Sequence, residues 1–464
     1  MKRTKKPNDT RAQAPGADLP TKRNRRRRMA GLTAAAGAAL LVTAACSSSG
    51  GSSGGITLTV QTFAAPEVTA ITAVTNQYHK LHPDVSFNIQ TITEQQSRTT
   101  NLQLLASSSP PDIGFVQPGI GVYESLAKNG DLESLAGAWQ QSGLSAHAIS
   151  GLKSVYTQDG TIKGTYAAPS DSVDFAMIWY NKAEFTQAGI TIPADHQLPS
   201  AAYLDTIAAK LKAKGLGSMA IAGDDGYQLG FLVDALLGGA ATPAQYTNIL
   251  TNWHPNVPIT TPYNSGPFLS VMNTISDWNK HGVFYPGATS LQDDPTIALF
   301  EAGRAAMMIG GVWTPAQVTA ENPSLSLGYF LLPSLRGGVT PYDTWPSNAY
   351  VIPKNAQNKQ AAQKFLQYLM SVQAQETVVK TTAELPVRTD LPPALLTSAL
   401  GPLASQIYTQ AAKVGSVPEY DTSIPTPIAQ AFEQTQVQNI LTGSASPATV
   451  AQAYQSALLT VRGS

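Results

Sequence analysis

Ile56-Thr57-Leu58-Thr59-Val60-Gln61-Thr62-Phe63 alternates apolar and polar residues, the period of a half-buried strand. A helix-like stretch runs from Glu67 to Leu81 and stops at His82-Pro83, because a residue preceding proline is driven out of the helical region. Val85 to Ile92 predicts a second strand and Arg98 to Ala106 a helix broken by Ser107 to Pro111, before Asp112-Ile113-Gly114-Phe115-Val116 predicts a third strand. Strands separated by helices are βαβ units, which build parallel sheets, so the class is α/β. Further on, the pattern predicts a strand over Phe175 to Tyr180 and another over Met219 to Ala222. Helices are predicted over Ala201 to Lys214, Pro267 to Lys280, Pro295 to Ala302, Lys359 to Thr381 and Pro447 to Leu459. No internal repeat of solenoid length is visible.

A chain of 464 residues, 43% of them hydrophobic, exceeds what one core normally holds, and two lobes are expected. Its formal charge of zero hides an asymmetry. Residues 1–28 hold eleven Lys and Arg against Asp9 and Asp18, leaving 19 basic and 28 acidic residues beyond them, a net −9. An acidic body without a basic stripe excludes nucleic acid as partner. Cys46 is the only cysteine, so an internal disulfide and C-x-x-C sites are excluded. The basic run Arg25 to Arg28, the short apolar run Met29 to Ala45 and the small residues Ala44 and Ala45 before Cys46 read as a signal peptide. Thr43-Ala44-Ala45-Cys46 resembles a bacterial lipobox, which implies acylation of Cys46 and a lipid anchor in the membrane. Ser47 to Gly55 is a Ser/Gly tether. Within it Gly50-Gly51-Ser52-Ser53-Gly54 matches G-x-S-x-G by composition alone and carries no catalytic meaning, since that motif needs a strand and a helix around it.

Four ordered segments carry a family resemblance. They are Pro111-Asp112-Ile113 with Leu126 to Leu132; Pro169 through Tyr180-Asn181-Lys182, continuing to Phe185 and Ala188-Gly189-Ile190; Phe300, Gly303 to Met308 and Gly311-Val312-Trp313; and Asn348 to Pro353 followed by Ala361 to Met370. Together they resemble the bacterial extracellular solute-binding proteins of the maltose-binding, family 1 type. Around Pro199-Ser200-Ala201-Ala202-Tyr203 the tryptophan usual in relatives is absent. The resemblance implies a two-lobed periplasmic-binding-protein-like fold of class II, with mostly parallel sheets flanked by helices and a ligand cleft at the hinge. The expected parts are a signal peptide over 1–46, the tether over 47–55, lobe 1 over 56–172 plus about 312–345, and lobe 2 over about 173–311 plus 346–464.

A sugar offers a flat C–H face and a rim of hydroxyls, so its site needs aromatic platforms and fixed amides or carboxylates. Trp313 is the leading platform: glycines precede it, and the family places a stacking aromatic there; the alternative is a core tryptophan. Trp345 and Asn348 lie at the second expected crossing between lobes, and Asp171 and Asp174 at the first, with Asp174 six residues before Tyr180, where relatives offer a carboxylate. Phe63, Gln95 and Gln117 follow strand ends, where open α/β sheets place ligands. Tyr227 and Tyr420 are loop aromatics of the second lobe. His79 and His82 read as helix-end residues, and neither a metal site nor a cofactor is expected.

The expected function is that of a non-enzymatic, monomeric substrate-binding lipoprotein of an ABC importer. It captures a sugar or oligosaccharide at the extracellular face of the cytoplasmic membrane and hands it to the permease subunits. The rivals are a secreted carbohydrate-active enzyme, a solute sensor subunit and a binding protein for a non-sugar solute. Asp171 and Asp174 are poor catalytic partners, because they come from one segment whereas glycosidase carboxylates flank the bond from opposite sides.

Overall fold

The computed structural model describes residues 55–463 except 63–64, 94–95, 98–99, 117–122, 151, 153–163, 170–172 and 347. The signal peptide, Cys46 and nearly all of the tether therefore lie outside the described residues, as do Phe63, Gln95, Gln117 and Asp171.

The alternating start forms strand β1 (Ile56–Thr62), which pairs in parallel with β2 (Val85–Thr91) across the helix α1 (Ala65–Leu81), the βαβ unit expected from the pattern. Strand β3 (Gly114–Val116) is extended from the parallel bridge Val60 to Ile113, so β1, β2 and β3 share one direction. β3 and β4 (Ala167–Pro169) flank a third strand, β10 (Ala349–Val351), which runs antiparallel to both.

The second sheet is organised by β5 (Val173–Asn181), nine residues buried on both faces, which is why it reads as a continuous apolar run rather than an alternation. Val173, Phe175, Met177 and Trp179 join the first hydrophobic core, while Ala176 and Ile178 join the second. On one side of β5 lies β7 (Met307–Gly310), which pairs in parallel with β6 (Met219–Ala220). β9 (Tyr342–Pro346) pairs with the first half of β5 and β8 (Leu327–Phe330) with the second half, and β11 (Ser416–Pro418) extends β9.

Two expectations need correction. The sheets are mixed rather than mostly parallel, because β5 and β10 enter their sheets from the opposite lobe and so run against their neighbours. The division of the chain also differs. Residues from β10 to α8 (Pro393–Val414), expected in lobe 2, pack into the first core through Tyr350, Phe365, Val378 and Tyr408; β8 and β9, expected in lobe 1, pair with β5. The chain thus passes between the sheets at β4–β5 and β9–β10, and a third time between α8 and β11. Interleaved pieces of equal composition leave no mark in sequence at such a boundary.

The expected helix over Lys359 to Thr381 is two helices, α6 (Lys359–Leu369) and α7 (Val372–Thr382). Ala362, Phe365, Leu366 and Leu369 form the buried stripe of α6, and Ser371 starts α7 by accepting the Ala374 N–H at 3.3 Å. The other helices that matter below are α2 (Ala201–Ala213), α3 (Tyr227–Ala240), α4 (Gly266–Lys280), α5 (Thr314–Glu321), α9 (Gln430–Leu441) and α10 (Pro447–Gly463). Of these, α3, α4, α9 and α10 pack together over the second sheet.

Candidate functional site

Strand register places the candidates. Gly310 at the end of β7 faces Met177, so the residues beyond β7 lie at the edge where β5 begins. β6 runs parallel to β7, and β9 and β11 run parallel to each other and antiparallel to β5. The carboxyl ends of β6, β7, β9 and β11 therefore share one edge with the amino end of β5, and the chain crosses to the first lobe from that edge. Asp174 and Trp345, 171 positions apart in sequence, lie at it, and Trp313 and Tyr227 follow β7 and β6, which end there. In the first lobe β1, β2 and β3 end at the edge where β10 begins, since Ala349 faces Val116. Phe63, Gln95 and Gln117 follow these strands in sequence and are outside the described residues.

Trp313 stands three residues past β7 as the N-terminal flanking residue of α5, half-buried, with its ring 6.0 Å from that of Phe231. Gly311 makes this possible: a Cβ there would lie 2.1 Å from the indole, so any side chain would displace the ring. Trp179 fixes the same turn by donating its indole N–H to the Gly311 carbonyl at 2.9 Å. Phe231 in turn meets Tyr227 edge-on at 5.5 Å, giving an aromatic series Tyr227–Phe231–Trp313. Phe231 was not among the sequence candidates, although it lies one turn beyond Tyr227 on the same helix face.

Tyr227 opens α3 after Gly226, whose φ of +84° suits glycine. Its hydroxyl donates to Asp293 and accepts from Gln228 Nε2 at 3.1 Å, and the same Gln228 nitrogen donates to Asp293 Oδ1 at 2.9 Å. Burial, and then the bond to Asp293, push the Tyr227 hydroxyl above its usual range, so it stays a neutral donor. Asp174, partly buried, faces Trp345 across the β5–β9 pair, a register that brings the two expected crossings together. The side chain of Trp345 is outside the described ones. Asn348, at the second crossing, donates its amide to Glu67 in the first turn of α1 and so anchors that crossing to the first lobe.

Tyr420 is a correction. It is 0% exposed, its ring lying 6.0 Å from Tyr263 and 5.8 Å from Phe268, and it belongs to the second core rather than to the cleft edge. A tyrosine between two prolines reads as a loop in sequence; the helices packed over it decide its burial.

Among the described residues, no helix is long and apolar enough to cross a membrane. The family described as bacterial extracellular solute-binding protein matches residues 64–376. The mannitol-binding protein of Pseudomonas aeruginosa is 24% identical over 332 residues, which is 68% of this chain and 70% of that protein. An ABC transporter extracellular-binding protein of Pyrococcus horikoshii is 22% identical over 71% of this chain and 70% of its own length. Among solved structures, the solute receptor AcbH, described as preferring β-D-galactopyranose, superimposes with a TM-score of 0.71 at 19% identity, covering 88% of this chain and 100% of its own. A chitin oligosaccharide binding protein gives a TM-score of 0.69 at 20% identity with the same coverage. The family match over more than half of the chain, on a fold shared with these receptors, establishes that the chain belongs to the bacterial extracellular solute-binding proteins.

Proposed function

We propose that this protein is the substrate-binding lipoprotein of an ABC importer, which captures a sugar or oligosaccharide between its lobes and delivers it to the permease subunits. The observation that supports it is the aromatic series Tyr227–Phe231–Trp313, whose Trp313 follows a strand ending at the same sheet edge as the carboxylate Asp174. Aromatic faces accept the C–H face of a pyranose, and a carboxylate and a neutral tyrosine hydroxyl suit its rim of hydroxyls. The names of relatives that bind mannitol, galactopyranose and chitin oligosaccharide point the same way. The first lobe contributes Phe63, Gln95 and Gln117, and the hinge contributes Asp171, Trp345 and Asn348. The reading is of a binding protein, not an enzyme, acting as a monomer.

Hinge closure follows from three crossings that link two separately packed cores. A thermal-shift screen over carbohydrates and polyols will identify a ligand, since binding to the folded state alone contributes about 2.7 kcal/mol at a hundredfold excess over Kd. At saturation that ligand reduces the radius of gyration measured by small-angle scattering. An unchanged radius would mean a rigid site, and release of a hydrolysis product would replace the binding reading with an enzymatic one.

The anchor is tested separately. In Cys46→Ser the lipid attachment is lost, and the protein moves from the membrane fraction to the soluble or uncleaved one. Stable anchoring needs more than a single acyl chain, which by itself holds only marginally. Normal signal cleavage with undiminished membrane retention would remove the lipobox.

A further inference from the structure

We infer that Asp234, Asp343 and Glu419, with Asp421 and Glu433 beside them, form a buried site for a hard divalent cation of the calcium class beneath the cleft edge of the second lobe.

The three central residues come from α3, from β9 and from the turn after β11, yet one carboxylate oxygen of each lies within 4.8 Å of the other two. That spacing suits oxygens that share an ion at the 2.3–2.6 Å typical of calcium. Asp234 is 0% exposed, and neither of its carboxylate oxygens has a hydrogen-bond partner. Glu433, from α9 and outside the central three, is equally buried. Its Oε1 accepts from the Tyr454 hydroxyl at 3.3 Å, while Oε2 is unpartnered. Asp343 and Asp421 each keep Oδ1 unpartnered. Among the described residues, no Lys, Arg or His forms an ion pair with any of the five.

The packing makes room for this charge. Gly230 lies one turn before Asp234 on the same face of α3, and a Cβ there would stand 2.8 Å from Asp421 Oδ2 and 3.3 Å from Glu433 Oε2. Any other residue at 230 would crowd these two oxygens and force at least the nearer one to move.

An unpaired carboxylate in a protein interior is costly, and several together repel one another, so the cluster must take up protons or a cation. Burial raises all five carboxyl groups, and neighbouring carboxylates add to the rise for Asp234, Asp343, Glu419 and Glu433. A divalent cation supplies two positive charges where they are needed, and the remaining acids can share protons. Donors that are all oxygen, with no histidine or thiolate, select calcium over zinc. An irregular set of carboxylates from four segments suits calcium better than the strict octahedron of magnesium. The ion would tie β9 and β11 to α3 and α9. Since α3 carries Tyr227 and Phe231, and β9 carries Trp345, it would brace the floor on which the site stands.

The test uses the intact mature chain, unfolded in urea with a chelator, freed of chelator, and refolded with calcium chloride, with magnesium chloride or without metal. The expected result is about one calcium per chain after gel filtration, measured by elemental analysis. Unfolding should shift upward with calcium, the folded-to-unfolded ratio rising about a hundredfold at a hundredfold excess over Kd, with a smaller shift in magnesium. Asp234→Asn and Glu433→Gln keep the side-chain shapes and should fold without metal while losing both the bound calcium and the calcium-dependent shift. Wild-type protein that retains no metal and does not respond to calcium would overturn the site and leave a cluster of shared protons. A calcium response surviving in both variants would also overturn it, because the ion would then bind elsewhere.

Discussion

Trp313→Ala is expected to weaken carbohydrate binding by roughly thirty- to more than a hundredfold while leaving the protein folded. Stacking a pyranose on the indole removes about 80–120 Å² of apolar contact from water, which at ~25 cal/mol per Å² is about 2–3 kcal/mol. At ~1.4 kcal/mol per tenfold, that is the stated drop in affinity. The stability side follows from position. Trp313 is half-buried, leaning on Phe231 at the margin of the second core, so its removal opens less of a cavity than the loss of a fully buried tryptophan, which costs about 3–5 kcal/mol. Titration calorimetry and a denaturant melt on the one variant separate the roles: intact affinity with a large loss of stability would return Trp313 to the core. Gly311→Ala gives an independent check, because a methyl group 2.1 Å from the indole must displace the ring without removing it. Affinity should fall there too.

Arg388→Met is expected to destabilise the protein by about 3 kcal/mol, the lower end of the cost of breaking a buried ion pair from one side. The side chain is 2% exposed and makes a forked contact with Asp390 at 2.8 and 2.7 Å through Nε and Nη2, while Nη1 donates to the carbonyls of Ser142 and Met370, both at 2.8 Å. Asp390 is 25% exposed, which moderates the penalty of leaving it unpaired. Tyr408 of α8 donates to the Arg388 carbonyl, so the same residue secures the helix that leads to the third crossing. Burial alone would raise the Asp390 carboxyl, but the hydrogen bonds and charge of Arg388 prevail and hold it below the usual range. A carboxyl lowered in the folded state contributes stability that is complete above its unfolded pKa of about 3.9 and is lost as pH falls through the folded value. The stability gap between wild type and Arg388→Met should therefore be widest near neutrality and narrow below pH ~4. Urea melts at neutral and acid pH measure it, and a gap independent of pH would show that the pair contributes through packing alone.

Local order is what the sequence by itself determined. The alternation of Ile56 to Phe63, the stop at His82-Pro83 and the stripe of α6 are near-neighbour patterns, and they mark β1, the end of α1 and the buried face of α6. The ordered motifs from Pro111 to Met370 were likewise legible as a family resemblance. Trp313 is a candidate in sequence because Gly311 stands two residues before it in the chain. Tertiary structure alone decided the rest, since it depends on which distant segments meet. Asp174 faces Trp345 only through the β5–β9 register, and Phe231 joins Trp313 only because α3 packs on the second sheet. Tyr420 is buried only because α4 and its neighbours cover it. The five acids illustrate the same limit. In sequence Glu419 and Asp421 are ordinary polar residues around a tyrosine, and Asp234 is one charge in an apolar helix. Burial and mutual repulsion arise only when four separate segments are brought together, and no local pattern encodes that.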